Sequence, residues 1–516
     1  MHYREPATGR RMANNALSLH WRLCTVLIII IMTAVIIILT VVVQLHSYVL
    51  SRAQDAEQIE YRRNFVRGMM KHAWKGYANY AWGYNEVRPV SRRPNSQTVF
   101  GNTKLGATIV DGIDTLFLMN LTGEYQAARN WIENDLDFNV DIKVSVFETN
   151  IRFVGGLLST YALTKDRMFL NKAIKVANKL LPAFDTQSGI PYQDVNLLTG
   201  HAQNRNDPGA ILSEFGSMHL EFIYLSHATG DPRFRRKVMK IRETMTKATP
   251  RPDGLYNNYM DFKTGQWLSW PVHVSIGSLG DSFYEYLIKS YVQSDRRDWK
   301  ARQMYYDAIE AMEDKLLFTT PKSNLIYLGQ MVDSHIKAGM DTLACFAGGM
   351  LAIGADYSSE EMQSHHMTLA QGITNTCHES CIRTKSHLGP EAFMFYREFE
   401  FGATTNYYSL RPEIVESYFY MWRYTHDPKY REWAWDFVEA LERHCKTDGG
   451  YSGLSNVHQP GALTDQQDSF FLAEVLKYLY LIFSDDDVID LRKWVFNTEA
   501  HPLPILNSND QKILLM

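Results

Sequence analysis

Apolar residues recur at helical spacing along most of this chain. Segments 110–121, 147–163, 167–181, 211–227, 281–291, 299–316, 343–354, 362–376, 411–425, 430–445 and 469–483 place them at i, i+3, i+4 and i+7, which predicts eleven helices. Many of these come in pairs. A strongly apolar helix is followed by a turn built on aspartate (Asp166-Arg167, Asp231-Pro232, Asp427-Pro428) and then by a more charged helix. The pairs recur about every 45–65 residues, as helical hairpins do in repeat architectures. Because the first helix of each pair is apolar nearly all round, it belongs inside. An all-α fold of concentric inner and outer helices closing an α/α barrel fits this better than an open solenoid. Short strands are expected only at 189–195 and 255–260.

One apolar run breaks the pattern. Residues 23–43 contain no charge, and their only hydroxyls are Thr25, Thr33 and Thr40. About 20 residues suffice to cross the hydrocarbon core of a bilayer, and the run is too long for the apolar core of a signal peptide. Arg4, Arg10, Arg11 and Arg22 precede it, whereas Arg52, Arg62 and Arg63 beyond it are offset by Asp55, Glu57 and Glu60. That bias predicts a cytoplasmic tail over 1–22, a signal-anchor helix over 23–43, a stem over 44–65, one lumenal globular domain over 66–507 and a tail over 508–516. No Pro/Ser-rich linker or charge block divides the globular part, although it exceeds the usual single-domain size.

Composition narrows the function further. The net charge of −4 and the absence of a basic stripe argue against a nucleic-acid partner. Aromatic residues make up 13% of the chain, suiting a thick core or a sugar-binding cleft. Five cysteines are few for a secreted disulfide framework. Cys24 lies in the apolar run and Cys445 stands alone, while Cys345, Cys377 and Cys381 fall close enough together for one bridge. The sequon Asn120-Leu121-Thr122 follows an apolar stretch, so it is expected at a buried loop or helix end.

Carboxylates inside apolar helical segments carry the chemistry. Glu148, Asp281, Glu413, Glu474 and Glu499 stand among aromatic and aliphatic neighbours between residues 148 and 499. A buried carboxylate must be paired, metal-associated or protonated, because leaving it alone costs several kcal/mol. Several of them on separate helices point to a shared polar pocket. Glu148 and Arg152 are four apart, as are Asp281 and Glu285, and Phe470 and Glu474, while Glu413 and Glu416 are three apart; on a helix each pair shares a face. Intrahelical ion pairing is the ordinary alternative, and for Glu285 and Glu416 the two readings balance.

The motifs FETNIRFVGGLLS around Glu148, GDSFYEYLIK around Asp281, LRPEIVES around Glu413, DSFF at 468–471 and FNTEAHP at the end resemble glycoside hydrolase family 47, the class I α-1,2-mannosidases, from about Tyr77 to Pro504. The resemblance implies an (αα)7 barrel plugged by a C-terminal β-hairpin. It also implies a calcium ion and hydrolysis, with inversion, of terminal α-1,2-linked mannose on high-mannose N-glycans. By motif, Glu148 is the general acid, acting directly or through a water, Glu413 the general base, and Asp281 a third catalytic carboxylate. Arg152, Arg411, Phe470, Glu474 and Glu499 line the sugar subsite, Thr498 binds calcium, and Cys345 pairs with Cys377, leaving Cys381 free. Inversion requires an acid and a base roughly 6.5–9.5 Å apart, which carboxylates on separate helices can satisfy.

Two positions carry information within the family. Leu279 stands where the endoplasmic-reticulum enzymes have an arginine, as it does in Golgi-type members, implying a Golgi membrane protein with the endoplasmic reticulum as second choice. Thr342 stands where a subsite histidine is usual. The alternative function is that of a weakly active, mannose-binding relative in glycoprotein quality control, which only Thr342 favours.

Overall fold

The computed structural model describes residues 8–205, 207–249, 253–396 and 400–506. The expected tail over 508–516, and residues 1–7 of the expected cytoplasmic segment, lie outside the described residues. The chain divides into two bodies, Met1–Arg62 and Arg63–Met516. In the first, the helix Thr8–Tyr80 begins, and its Ala16–His46 stretch contains an 18-residue window of mean hydropathy 3.5, with none of the stretch buried. At 1.5 Å per residue these 31 residues reach well past the roughly 30 Å needed to cross a bilayer.

The second body is built of helix pairs, and its burial patterns explain the pairing. In Asp281–Gln293 every residue after the first is buried. Its partner Trp299–Lys315 buries Ala301, Met304, Tyr305, Ala308, Ile309, Ala311 and Met312, a stripe at spacing three to four, and leaves the other face polar. Ala107–Leu118 with Thr122–Asn134, Gly155–Thr164 with Arg167–Leu180, and His219–Thr229 with Pro232–Lys247 pack in the same way, as do Ala347–Asp356 with Glu360–Ile382 and Glu413–Thr425 with Lys429–His444. The aspartate turns act as start signals. Asp166 accepts from Met168 N at 2.9 Å, Asp231 from Arg233 N at 2.9 Å with Pro232 in the first turn, and Asp427 from Lys429 N at 3.0 Å.

The first members of the pairs touch one another in order. Ala107–Leu118 packs on Gly155–Thr164, which meets His219–Thr229, then Asp281–Gln293, Ala347–Asp356, Glu413–Thr425 and Leu476–Ile482. The segment Phe471–Val475, which leads into the last of these, packs back on Ala107–Leu118. Trp494–Phe496 and Pro502–Pro504 pair antiparallel and rest on the Gly155–Thr164, His219–Thr229 and Asp281–Gln293 helices. Cys345 and Cys377 form the disulfide, with Cα atoms 5.9 Å apart, and Cys381 and Cys445 are free and buried.

Several expectations are corrected. The helix expected over 211–227 breaks at Ser217 and Met218 into Leu212–Gly216 and His219–Thr229. Those expected over 147–163 and 469–483 each contain a wide π-turn, at Thr149–Val154 and Phe471–Val475. The helix Thr122–Asn134 was not anticipated, because its stripe of Tyr125, Ala128, Trp131 and Ile132 is interrupted by polar residues and no side chain caps it. Strands are more numerous and shorter than expected; the two foreseen reduce to Asp194–Asn196 and Tyr259–Met260, within small sheets of two or three strands. Asn120 ends a helix as expected but is exposed, not buried.

Candidate active site

The three proposed catalytic carboxylates share a local design. Glu148, Asp281 and Glu413 each occupy the first turn of an element belonging to the inner set: Val146–Glu148, Asp281–Gln293 and Glu413–Thr425. A helix N-terminus carries partial positive charge and unpaired N–H groups, so it is a natural seat for a carboxylate. Arg152 and Glu474 sit in the two π-turns, where the widened helix re-aims side chains and which recur at functional sites. Thr498 and Glu499 occupy the turn between the last two strands. The structure brings all ten residues marked by motif (Glu148, Arg152, Leu279, Asp281, Arg411, Glu413, Phe470, Glu474, Thr498 and Glu499) to one cavity of about 270 Å³. Glu285 and Glu416, the two evenly balanced positions, line it too.

The backbone at the cavity is forced into special conformations. Leu279 has φ +76°, rare for a residue with a side chain, and its carbonyl accepts from Ser213 N at 2.9 Å. The following Gly280 is required, since a Cβ there would lie 2.1 Å from the Ser275 carbonyl oxygen. Leu410 (φ +61°) precedes Arg411, and Ala500 (φ +56°) follows Glu499. Left-handed residues beside three site segments mark strain of about 1–3 kcal/mol each, held by the surrounding packing.

Charge is unbalanced. The lining includes eight carboxylates (Glu148, Glu214, Asp281, Glu285, Glu413, Glu416, Glu474 and Glu499) against two guanidiniums, Arg152 and Arg411. Arg152 Nε donates to Glu148 Oε2 at 2.8 Å, and its Nη1 donates to Glu499 Oε1 at 2.5 Å and Ser469 Oγ at 3.0 Å. Arg411 pairs with Glu391, and buried Lys289 pairs with Glu285 and lies 3.8 Å from Glu416. Of the remaining acids, burial raises Glu474 well above the usual carboxylate range. Burial lifts Glu413 to about 7, against the pull of Arg411. Burial, helped by Asp341, Glu413 and Glu285, lifts Asp281 to about 8, against the Ser282 N–H that hydrogen-bonds its carboxylate. Glu413 Oε2 is buried without a hydrogen-bond partner, an acceptor aimed at whatever fills the cavity.

A second layer was missed in the sequence. His501 Nδ1 bonds Asp114 at 2.8 Å and its Nε2 bonds Asp111 at 3.0 Å, and Asp111 lies 3.4 Å from Arg152 Nη1. Lys477 completes the row, 2.9 Å from Asp114 and donating to the Ala500 carbonyl at 2.5 Å. This buried line of alternating charge ties the last turn to the Arg152 guanidinium. Asn497 adds anchors, donating to Glu221 at 2.8 Å and accepting from Glu499 N at 3.0 Å. Asp111 and Asp114 stand in the apolar helix Ala107–Leu118, so the signal that picked out the other carboxylates was present there as well. Thr342, which stands where a subsite histidine is usual, lies outside the lining. It is buried, donates to the Pro390 carbonyl at 2.6 Å and does not line the cavity; Leu343 and Phe346 do.

The raised Asp281 has a consequence for stability. With its folded value at about 8 and an unfolded value near 4, the stabilising neutral form is fully retained below pH 4 and lost as pH rises through 8. Keeping it protonated at pH 7 costs about 4 kcal/mol. Calorimetry of the full chain in chelator should therefore show Asp281→Asn raising Tm, and by more at pH 8 than at pH 5. An equal or opposite shift at the two pH values would contradict the buried, protonated state.

A cavity lined by acids and arginines, with Asp281 and Glu413 raised to near neutral pH, has the chemistry of an acid–base site. The chain belongs to glycosyl hydrolase family 47, whose sequence model matches residues 69–505. It is 49% identical over 456 residues to mannosyl-oligosaccharide 1,2-alpha-mannosidase IB of Mus musculus, covering 87% of this chain and 70% of that protein. It is 52% identical to mannosyl-oligosaccharide alpha-1,2-mannosidase IA of Drosophila melanogaster over 87% and 68%. Its fold matches the solved alpha-1,2-mannosidase from Trichoderma reesei with a TM-score of 0.80 at 28% identity, over 87% of this chain and 99% of that one.

Proposed function

We propose that this chain hydrolyses terminal α-1,2-linked mannose from high-mannose N-glycans, with inversion, as a calcium-dependent enzyme of the Golgi membrane. Family membership and relatives named as 1,2-alpha-mannosidases support the activity. The observation that carries the residue roles is the meeting of Glu148, Asp281 and Glu413 at one cavity from three separate elements. In this reading Glu413 is the base that activates water on one face of the sugar, and Glu148 is the acid that protonates the leaving oxygen on the other. Asp281, kept neutral near pH 7, supplies a further proton donor. Arg152 fixes Glu148 through the 2.8 Å bond and packs over the Phe470 ring at 5.6 Å. Phe470 offers an apolar face to the sugar, while Glu474 and Glu499 accept from its hydroxyls.

Calcium fits the donor set. Calcium takes six to eight hard oxygen ligands and tolerates waters and ligand hydroxyls among them. Thr498 is held by its backbone N–H on the Tyr286 hydroxyl at 3.3 Å, and the lining has six more carboxylates than guanidiniums (eight less two). Among the described residues no three His, Cys, Asp or Glu side chains converge as a direct cage. The ion would therefore rest on the Thr498 hydroxyl and carbonyl, with waters held by the surrounding acids. When bound, it supplies positive charge that orients sugar hydroxyls.

The architecture is read as an (αα)7 barrel plugged by the final hairpin. Supporting this are the seven helices touching in order and the return contact from Phe471–Val475 to the first. Exposed Ala16–His46, the preceding arginines and the Cys345–Cys377 bridge support a type II anchor with the globular body in an oxidising lumen. The quality-control alternative rests on Thr342 alone, a short side chain that donates to the Pro390 carbonyl and leaves the cavity wall to Leu343 and Phe346.

Branch specificity rests on Leu279, which meets the cavity with only apolar contact. A hydrogen-bonding residue there would discriminate among glycan branches far more than a greasy one. Wild-type full chain incubated with a nine-mannose glycan should therefore release several mannoses, read by mass spectrometry. Leu279→Arg should narrow the product toward loss of one. A wild-type reaction that stops cleanly after one mannose at high enzyme would contradict this reading.

A further inference from the structure

The sequence Asn120-Leu121-Thr122 follows the exposed end of the Ala107–Leu118 helix, and none of its residues lines the cavity. After that helix the chain turns sharply. Met119 N and Asn120 N bond the carbonyls of Thr115 and Phe117, and Asn120 takes φ +53°, a left-handed conformation that asparagine tolerates better than most residues. The turn throws the Asn120 side chain into solvent while Leu121 is buried beneath it. The Arg67 guanidinium donates to the Asn120 carbonyl at 3.0 Å and fixes the turn. Two residues on, the Thr122 hydroxyl donates to Asn120 Oδ1 at 3.3 Å. This contact engages the amide oxygen and leaves the amide nitrogen to solvent.

Beside this amide lies an aromatic surface that the core does not use. Phe117, three residues earlier, is 38% exposed although it belongs to an otherwise buried helix, and its ring meets that of Tyr125 at 5.5 Å. Exposed phenylalanine on a buried helix costs hydrophobic free energy unless something covers it. The apolar face of a pyranose ring is a suitable cover for an aromatic platform.

We infer that Asn120 is an N-glycosylation site whose first N-acetylglucosamine packs on Phe117 and Tyr125. Asn-Leu-Thr meets the sequence requirement, with no proline between, and exposure on a surface turn meets the structural one. The inference rests on the lumenal placement proposed above, since only a lumenal turn meets the glycosylation machinery. In the reaction, a glycosidic C–N bond forms from the Asn120 amide nitrogen to the sugar of a lipid-diphosphate donor; the lipid diphosphate leaves and the amide loses one proton.

The test expresses the full chain in animal cells and compares wild type, Asn120→Gln and Asp141→Thr. The last converts Asn139-Val140-Asp141, whose Asn139 and Asp141 are exposed, into a control acceptor. Wild type should shift on peptide-N-glycosidase treatment, with the modified peptide carrying Asn120, and Asn120→Gln should lose the shift. If the control acceptor is modified and Asn120 is not, the site is refuted while the lumenal placement stands. If neither is modified, both fall. Native deglycosylation should lower Tm by about 1–2 °C in wild type and not in Phe117→Ala. Equal shifts in the two would refute the aromatic platform.

Discussion

Glu413→Gln is expected to lower kcat by about 10²- to 10⁴-fold, the usual contribution of a general base, while glycan binding persists. The substitution keeps the side-chain volume and a hydrogen-bonding oxygen, so the cavity need not collapse. What it removes is the ability to accept a proton at the buried Oε2, which has no protein partner to share it with. The pH profile supplies a second check. Because burial lifts Glu413 to about 7 and the base must be ionised, kcat/KM of the wild type should fall as pH drops through that value. A variant with kcat within tenfold of wild type would remove Glu413 from the base role.

Exhaustive chelation is expected to abolish turnover and lower Tm, with both restored by calcium and not by magnesium. The physical reason is the surplus of cavity carboxylates over cations around Thr498. Three of these acids (Glu416, Glu474 and Glu499) are pushed well above the usual carboxylate range, burial being the largest cause for each. Magnesium holds its waters tightly and demands a smaller octahedral site, so it substitutes poorly where ligand hydroxyls must enter the shell. A ligand that binds only the folded state stabilises it by mass action, hence the Tm effect. Full activity after chelation, measured on glycan release, would exclude the calcium role.

The chain's sequence exposed some features of this site better than others, and the reason is local. Acids in apolar helices are conspicuous, so Glu148, Asp281 and Glu413 could be selected from neighbours alone. The aspartate turns made three of the six helix pairs legible because capping is decided within four residues. Asp111 and Asp114 met the same criterion but could not be joined to His501 and Lys477, since Asp111 meets His501 across 390 positions. The π-turns carrying Arg152 and Glu474 leave no mark in a 3.6-residue pattern, because every residue of both is buried and there is no one-sided stripe to shift. Thr342 shows what a motif alone leaves out. The motif marks the position where a subsite histidine is usual, but only the structure shows that the threonine side chain turns toward Pro390. Asn120 was drawn toward the interior by its apolar neighbours, although a left-handed turn frees it from them.

The most direct test of the central claim is the anomeric form of the first sugar released. Proton NMR of full-length enzyme acting on a high-mannose glycan in calcium buffer, recorded before mutarotation, distinguishes the two outcomes. An acid at Glu148 and a base at Glu413 on opposite faces of the scissile bond predict β-mannose as the initial product, with the α form growing in only later. Initial release of α-mannose would mean retention through a covalent intermediate, and would contradict the assignment of Glu413 as base and Glu148 as acid.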